Sequence, residues 1–185
     1  MREISSISGD IAELGIWKGN NSVLFARFTK MFNIPRTIHC FDNFSGLPEP
    51  SKFDVVDYPE GKYKGLRSVF EATLELHSLF DLVRIHEGLI EDTVPRFLEE
   101  RSEHSLKFAM IYFDADLYSP ATTMFRYLAQ LVSVGGVILL DEYGFAEWPG
   151  ETKATDDFLA VNPEFILELT PEYVHQPSAV IRRVA

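Results

Sequence analysis

The chain has 185 residues, 46% of them hydrophobic, which favours one domain with a substantial core. Seventeen basic and 28 acidic side chains leave a formal charge of -11, which argues against nucleic acid or an anionic membrane surface as a partner. Cys40 is the only cysteine, so no internal disulfide can form. The residues after Met1 lack the apolar core of a signal peptide, and the longest apolar runs are too short for a bilayer. We therefore expect a cytoplasmic protein.

Short β-rich runs alternate along the chain with segments in which apolar residues recur at helical spacing. The predicted strands are residues 10–15, 37–41, 82–86, 107–113, 136–140, 165–170 and 179–184. The predicted helices are residues 22–32, 67–79, 93–101, 120–132 and 152–161. The alternation indicates parallel βαβ units with helices on both faces of the sheet, and the last two strands are expected to form an antiparallel edge pair.

The first predicted strand leads into a turn that contains Glu13, Gly15 and Gly19. At the carboxyl end of a strand, glycines let the backbone approach a ligand, and the N–H groups of the following helix favour an anion. A polar side chain among residues 20–22 is expected to cap that helix. A plain glycine turn explains the pattern about as well. The Gly-x-Gly-x-x-Gly signature of dinucleotide sites is missing, which argues against NAD.

Two further strand ends carry polar residues. Asp42 closes the second predicted strand, where its carboxylate can accept hydrogen bonds from ligand hydroxyls or cap the following turn. After the third strand come Gly88, Asp92 and Thr93, and an N-cap role for Asp92 or Thr93 is the simpler interpretation. The segment 43–64 is long and rich in glycine, proline and tyrosine, which predicts a lid or binding loop.

Four carboxylates follow two neighbouring predicted strands, Asp114 and Asp116 after one and Asp141 and Glu142 after the next. Helix capping does not account for the first pair, because Ser119, followed by a proline, is itself a good N-cap. Carboxylates held together repel unless they share a proton or bind a cation, and oxygen ligands favour Mg²⁺, Ca²⁺ or Mn²⁺. The alternative is a solvated acidic rim.

The remaining reactive and aromatic residues have ordinary explanations as well as functional ones. His39 and Cys40 lie within a predicted strand, and we expect packing roles for them. Tyr58, Tyr63 and Trp148 lie in predicted loops, where aromatic rings either stack on a sugar or pack beneath the loop.

Six segments together resemble the macrocin O-methyltransferase family, which methylates sugar hydroxyls of antibiotics such as macrolides and aminocoumarins. They are residues 13–19, 41–50, 88–95, 114–118, 135–144 and 148–150. The resemblance spans nearly the whole chain and implies a single Rossmann-like class I methyltransferase domain over residues 1–185, with a mostly parallel seven-stranded sheet and an antiparallel C-terminal strand. It implies S-adenosylmethionine as methyl donor, a small hydroxylated acceptor such as a glycoside, and a possible homo-oligomer.

The resemblance also assigns roles to individual residues. Those implied to bind S-adenosylmethionine are Glu13, Gly15, Trp17, Asp42, Ser45, Gly88, Asp92, Thr93 and Asp114. Mg²⁺ is implied to be held by Asp114, Asp141 and Glu142 and to orient the acceptor hydroxyls. Asp114 is the first candidate for the base that removes the hydroxyl proton, and Asp116 is the second.

Two features depart from the family pattern. Family members usually carry a region before the first strand that helps cover the active site, whereas Met1 lies a short way upstream of Glu13. The family commonly has two aspartates where this chain has Asp141 and Glu142, and the longer Glu142 side chain would reach a metal differently. A non-catalytic subunit that binds S-adenosylmethionine is the alternative interpretation.

Overall fold

A computed structural model describes residues 3–54, 58–59, 61–100 and 106–185. The strands are β1 (Asp10–Leu14), β2 (Ile38–Asp42), β3 (Val83–Glu87), β4 (Phe108–Phe113), β5 (Val132–Leu140), β6 (Phe165–Leu169) and β7 (Ala179–Arg183). The α-helices are α1 (Asn20–Met31), α2 (Arg67–Leu76), α3 (Ile90–Glu99), α4 (Tyr118–Tyr127) and α5 (Pro149–Leu159). The predicted alternation of strands and helices is therefore confirmed.

The strands form one seven-stranded sheet in the order β3-β2-β1-β4-β5-β7-β6. The first five of these are parallel, and β7 lies antiparallel to both β5 and β6. Leu14 is in register with Phe41 on one side and Phe113 on the other, and Phe113 is in register with Leu140. The carboxyl ends of β1, β2, β4 and β5 thus reach one edge, and the strand order reverses there between β1 and β4.

Two hydrophobic clusters cover the two faces of the sheet. One includes Phe97 of α3 and Met124 of α4, and the other includes Phe25 of α1 and Phe70 of α2. All six residues of β4 are buried, which explains why its sequence is a continuous apolar run rather than an alternating one. The expectation of helices on both faces is confirmed. Among the described helices, none is long and apolar enough to cross a membrane.

Several predicted helix starts were wrong, because the N-cap residues lie earlier in the chain than predicted and make no cap hydrogen bond with their own side chains. Gly19, in a left-handed conformation, is the N-cap of α1, and no side chain caps that helix. Leu89 is the N-cap of α3, so Asp92 and Thr93 lie inside the first turn, where Thr93 Oγ1 donates to the carbonyl of Leu89. Leu117, not Ser119, is the N-cap of α4.

The boundary between α4 and β5 also differs from the predicted one. The apolar residues up to Val132 were read as helix, but α4 ends at Tyr127 and β5 begins at Val132. Gly135 has a φ of 83° within β5. Because this glycine interrupts the strand, the residues before it do not show the sequence pattern of a regular strand. The predicted end of the third helix at Arg101 lies outside the described residues.

Candidate active site

A cleft of about 270 Å³ lies at the carboxyl edge of the sheet, where the strand order reverses. Residues that follow five of the strands line it, among them Gly15, Trp17, Asp42, Gly88, Asp114 and Asp141. Residues 46–48 and Tyr63 line it from the loop after β2. The cleft therefore has the position at which open α/β sheets bind their ligands.

The turn after β1 is held by Asp42. One Asp42 oxygen accepts hydrogen bonds from the backbone N–H groups of Ile16 and Trp17, at 2.7 and 2.9 Å, and the other accepts one from Phe44 at 2.6 Å. Gly15, with a φ of 82°, passes so close to β4 that a Cβ would lie 1.9 Å from the carbonyl oxygen of Asp114. The predicted cap of the turn after β2 is thus confirmed by the bond from Phe44, and Asp42 also lines the cleft, where its contact with a ligand hydroxyl stays a prediction.

Glu13 lies beneath this turn and does not line the cleft. It is 1% exposed and accepts a hydrogen bond from the hydroxyl of Ser22 in α1. Burial, with a smaller contribution from the charge of Asp42, raises the pKa of Glu13 to about 8. Ser22 Oγ also lies 2.9 Å from Cys40 Sγ, so Cys40 belongs to the buried interior, as expected.

Three further residues implied to bind S-adenosylmethionine are not among those that line the cleft. Ser45 and Asp92 are exposed, and Thr93 is buried against its own helix. Glu91 lines the cleft instead, together with Leu89 and Ile90. Glu91 precedes Asp92 in the same predicted motif, and both lie in the first turn of α3, which begins at Ile90 rather than at Thr93.

The acidic residues after β4 and β5 converge as predicted. Asp114, Asp116 and Glu142 each offer an oxygen, and these oxygens all lie within 4.8 Å of one another. Asp141 lines the same cleft, but one of its oxygens accepts a hydrogen bond from the hydroxyl of Tyr112 on β4. The geometry therefore gathers Asp114 and Glu142 with Asp116, and places Asp141 beside this group.

The close approach of these carboxyls disfavours their charged forms. Burial, then the charges of Asp141 and Asp116, raises the pKa of Asp114. Burial also raises the pKa of Asp116, which the charge of Lys62 lowers again in part. The pKa of Glu142 is raised by burial and then by Asp116. Asp116 has a φ of 60°, an unusual backbone conformation for a residue other than glycine.

Two site residues were missed by sequence analysis because they come from distant elements. Glu151, in the first turn of α5, accepts a hydrogen bond from the backbone N–H of Glu142 at 3.2 Å. Gln176, between β6 and β7, donates its side-chain amide to Glu142 Oε1 at 2.9 Å and lines the cleft. Glu151 resembled an ordinary acidic residue of a first helical turn, and no local pattern singled out Gln176.

The donor set fits a divalent cation. Glu142 Oε2 and Glu151 Oε2 are buried and have no hydrogen-bond partner among the described residues. A buried carboxylate oxygen without a partner is costly, and a cation shared with its neighbours removes that cost. The cluster offers carboxylate oxygens, the ligands that Mg²⁺, Ca²⁺ and Mn²⁺ prefer.

The loop aromatic residues divide between the two expected roles. Trp148 is 6% exposed and packs against Tyr58, with ring centroids 6.2 Å apart. Tyr63 is 42% exposed and lines the cleft, with its ring against the edge of Trp17. The Lys62 ammonium lies 4.9 Å from the Tyr63 ring and 4.8 Å from the Trp148 ring. Tyr63 is thus the aromatic residue of this group placed to meet a ligand.

Residues 3–163 match the family model described as macrocin-O-methyltransferase (TylF). The chain is 27% identical over 146 residues to 8-demethyl-8-(2,3-dimethoxy-alpha-L-rhamnosyl)-tetracenomycin-C 4'-O-methyltransferase of Streptomyces olivaceus, a match that covers 74% of this chain and 54% of that protein. It is 24% identical over 148 residues to demethyldecarbamoylnovobiocin O-methyltransferase of Streptomyces niveus, covering 75% and 54% respectively. The chain spans about half the length of these curated relatives.

The fold also matches a solved structure. The crystal structure of CalS11, a calicheamicin methyltransferase, superposes with a TM-score of 0.84 at 26% identity, covering 98% of this chain and 74% of that one. The seven-stranded sheet with its antiparallel end is thus a methyltransferase architecture. The sequence prediction of a Rossmann-like methyltransferase fold is confirmed.

Proposed function

The chain belongs to the macrocin O-methyltransferase family, and we propose that it transfers a methyl group from S-adenosylmethionine to a hydroxyl of a sugar or glycosylated small molecule, with help from Mg²⁺. The observation that carries this proposal is that Asp114, Asp116 and Glu142 converge in the same cleft as the glycine turn after β1. Donor and acceptor can then meet at one edge of the sheet, where proximity itself lowers the barrier.

The donor side of the cleft is assigned to the turn after β1. S-adenosylmethionine, when bound, supplies a methyl group on a positively charged sulfur. Gly15 and Trp17 line this side, and Asp42 fixes the turn through its bonds to the backbone of Ile16 and Trp17. Asp114 and Asp141 form the adjoining wall, and a cationic ligand there would favour the charged forms of these carboxyls.

The acceptor side is assigned to the acid cluster, and Asp116 is our choice for the base that accepts the hydroxyl proton. Asp116 lines the cleft. Burial and the charge of Asp141 raise its pKa to about 7, against a partial lowering by Lys62, so Asp116 can take up a proton near neutral pH. Asp114 stands among Asp141, Asp116 and Glu13, so its place is better suited to a cation than to proton transfer. This reverses the order implied by the sequence resemblance, and Asp114 becomes the second candidate.

Asp114 and Glu142, with Asp141 beside them, would hold the divalent metal. Mg²⁺ bound there would polarise the acceptor hydroxyls and make the proton easier to remove. Gln176 donates to Glu142 Oε1 and so fixes the direction of that side chain. The described loop residues Tyr63 and Leu47 border the same space and limit which acceptors fit.

The test combines binding with turnover. Isothermal titration calorimetry should detect binding of S-adenosylhomocysteine, and mass spectrometry should detect methyl transfer to a panel of glycosides in the presence of Mg²⁺. Activity should disappear with a chelator and return with Mg²⁺. Failure of a folded protein to bind S-adenosylhomocysteine would overturn the proposal. Binding of it without methyl transfer to any acceptor would favour a non-catalytic subunit.

A further inference from the structure

Glu151 is fully buried at the acid cluster, although it lies in the first turn of α5. An acidic residue at that position ordinarily faces solvent, where it complements the positive end of the helix dipole. Here the side chain leaves its own helix, and Oε1 accepts the hydrogen bond from the backbone N–H of Glu142. Helix capping therefore does not explain why this carboxyl is inside the protein.

Two successive residues of α5, Glu151 and Thr152, fix the turn that carries Glu142. Besides the bond from Glu142 to Glu151, the backbone N–H of Gly144 donates to Thr152 Oγ1 at 2.8 Å. Together these bonds tie the segment after β5 to the first turn of α5. Glu151 thus acts on the position of Glu142 through the backbone.

The second oxygen of Glu151 is the unexplained part of the arrangement. Oε2 is buried without a hydrogen-bond partner among the described residues, and Glu142 Oε2 is in the same state. The charges that act on Glu151 come first from Asp116 and then from Asp141, which repel it. Burial, the largest cause, and these charges raise the pKa of Glu151 well above its usual value. A nearby cation would relieve both the burial cost and the repulsion.

We propose that Glu151 is a further acidic residue of the cation site, a positioning residue that holds Glu142 in place and adds negative charge that strengthens divalent-cation binding. This inference rests on the proposed function, since it concerns the metal expected at Asp114 and Glu142. Asp114 and Glu142 would contact the cation, and Glu151 holds Glu142 in place through the backbone N–H of that residue. Residues that support a ligand in this way commonly change metal affinity by about 10- to 100-fold.

The experiment compares Glu151→Gln with the native protein, with Mn²⁺ as the probe. The substitution keeps the size and an acceptor oxygen but removes the charge. Calorimetry should show Mn²⁺ binding weakened by about 10-fold or more. With a chelator present, the melting temperature of the variant should equal or exceed that of the native protein, because glutamine keeps the acceptor for the Glu142 N–H without the cost of burying a carboxyl group. The gain in melting temperature on adding Mn²⁺ should be smaller in the variant.

Asp157→Asn is the matched control, because it removes one charge from an exposed position on the same helix. It should leave Mn²⁺ affinity unchanged. If Glu151→Gln does not fold, as judged by circular dichroism, Glu151→Ala replaces it in the same comparison. Equal Mn²⁺ affinity in the native protein and the folded variant would overturn this inference and leave the proposed function intact. A native protein that does not bind Mn²⁺ would overturn the metal-assisted mechanism as well.

Discussion

Asp54 Oδ1 accepts a hydrogen bond of 2.7 Å from the backbone N–H of Tyr118, the first residue of α4. Its other oxygen accepts bonds from the backbone and hydroxyl of Ser51, at 2.8 and 2.6 Å, and Asp54 is 3% exposed. Asp54 thus serves α4 as a cap supplied from the loop after β2. Because α4 directly follows Asp114 and Asp116, the loop and the acid cluster are positioned together.

Replacement of Asp54 by alanine should therefore loosen the loop that borders the acceptor side. We expect a loss of about 1–3 kcal/mol in the free energy of unfolding, measured by urea denaturation, because buried N–H groups lose their acceptor. The acceptor KM should rise, while the affinity for S-adenosylhomocysteine should change little, since the donor turn is held by Asp42. A raised donor Kd with an unchanged acceptor KM would contradict this division of roles.

Gly150→Ala tests the same contact from the opposite side. A Cβ at Gly150 would lie 1.7 Å from Asp54 Oδ1 and 2.7 Å from the backbone nitrogen of Tyr118, so the contact could not survive unchanged. The variant should reproduce the rise in acceptor KM of Asp54→Ala. The double variant should lose less unfolding free energy than the sum of the two single losses, because both substitutions remove the same contact between Asp54 and Tyr118. Simple additivity would show that they act separately.

Asp116→Asn should lower kcat by about 100-fold or more, because an amide cannot take the proton from the hydroxyl of the methyl acceptor. Binding of S-adenosylhomocysteine, measured by calorimetry, should be nearly unchanged. Asp114→Asn is the informative comparison, since it should weaken Mn²⁺ binding as well as turnover. Retention of most of the native kcat by Asp116→Asn, together with loss of kcat but not of Mn²⁺ binding in Asp114→Asn, would instead identify Asp114 as the base.

Glu13 makes stability depend on pH. Its pKa is raised by burial to about 8 in the folded protein, from 4.5 in an unperturbed glutamate, so the folded state binds the proton more tightly. The contribution of Glu13 to the free energy of unfolding is therefore fully present below pH 4.5 and is lost as the pH rises toward 8. Between pH 5 and pH 8, in the presence of a chelator, Glu13→Gln should lose less stability than the native protein, by at least about 1 kcal/mol. Parallel curves of unfolding free energy against pH would contradict the assignment.

Gly15→Ala should abolish binding of S-adenosylhomocysteine and destabilise the fold. An alanine would be strained at the φ of 82°, by about 1–2 kcal/mol, and its Cβ would also meet the Asp114 carbonyl. Gly144 is a matched control, since it has the same φ of 82° but nothing within 4 Å of an added Cβ. Gly144→Ala should show the conformational cost alone, in thermal melting, and keep the binding of S-adenosylhomocysteine. Equal losses of stability and of S-adenosylhomocysteine binding in the two variants would show that the close approach of Gly15 to Asp114 is not important.

The sheet and the convergence of the acids could be predicted because parallel strands bring their carboxyl ends to one edge. To predict that Asp114 and Glu142 lie close together, it was enough to know where two neighbouring strands end in the chain. Glu151 and Gln176 could not be found this way, because their contacts with Glu142 depend on how α5 and the segment between β6 and β7 fold back. That Glu91 and not Asp92 lines the cleft could not be predicted either, because α3 begins at Ile90 and no side-chain cap in the sequence marks Leu89 as its N-cap.

The place of β7 between β5 and β6 has a consequence for how the chain folds. β6 pairs in the described sheet with β7, which follows it in sequence, and not with the earlier strand β5. During synthesis β6 is therefore made before β7, its partner strand in the described sheet. It can join the sheet only after β7 has been made. Because β7 pairs with β5 across α5 and β6, and such non-local pairing is slow, we infer that the addition of β6 and β7 is a late event in folding. Gln176 reaches Glu142 from the segment that joins these two strands, so the acid site is completed only at that stage.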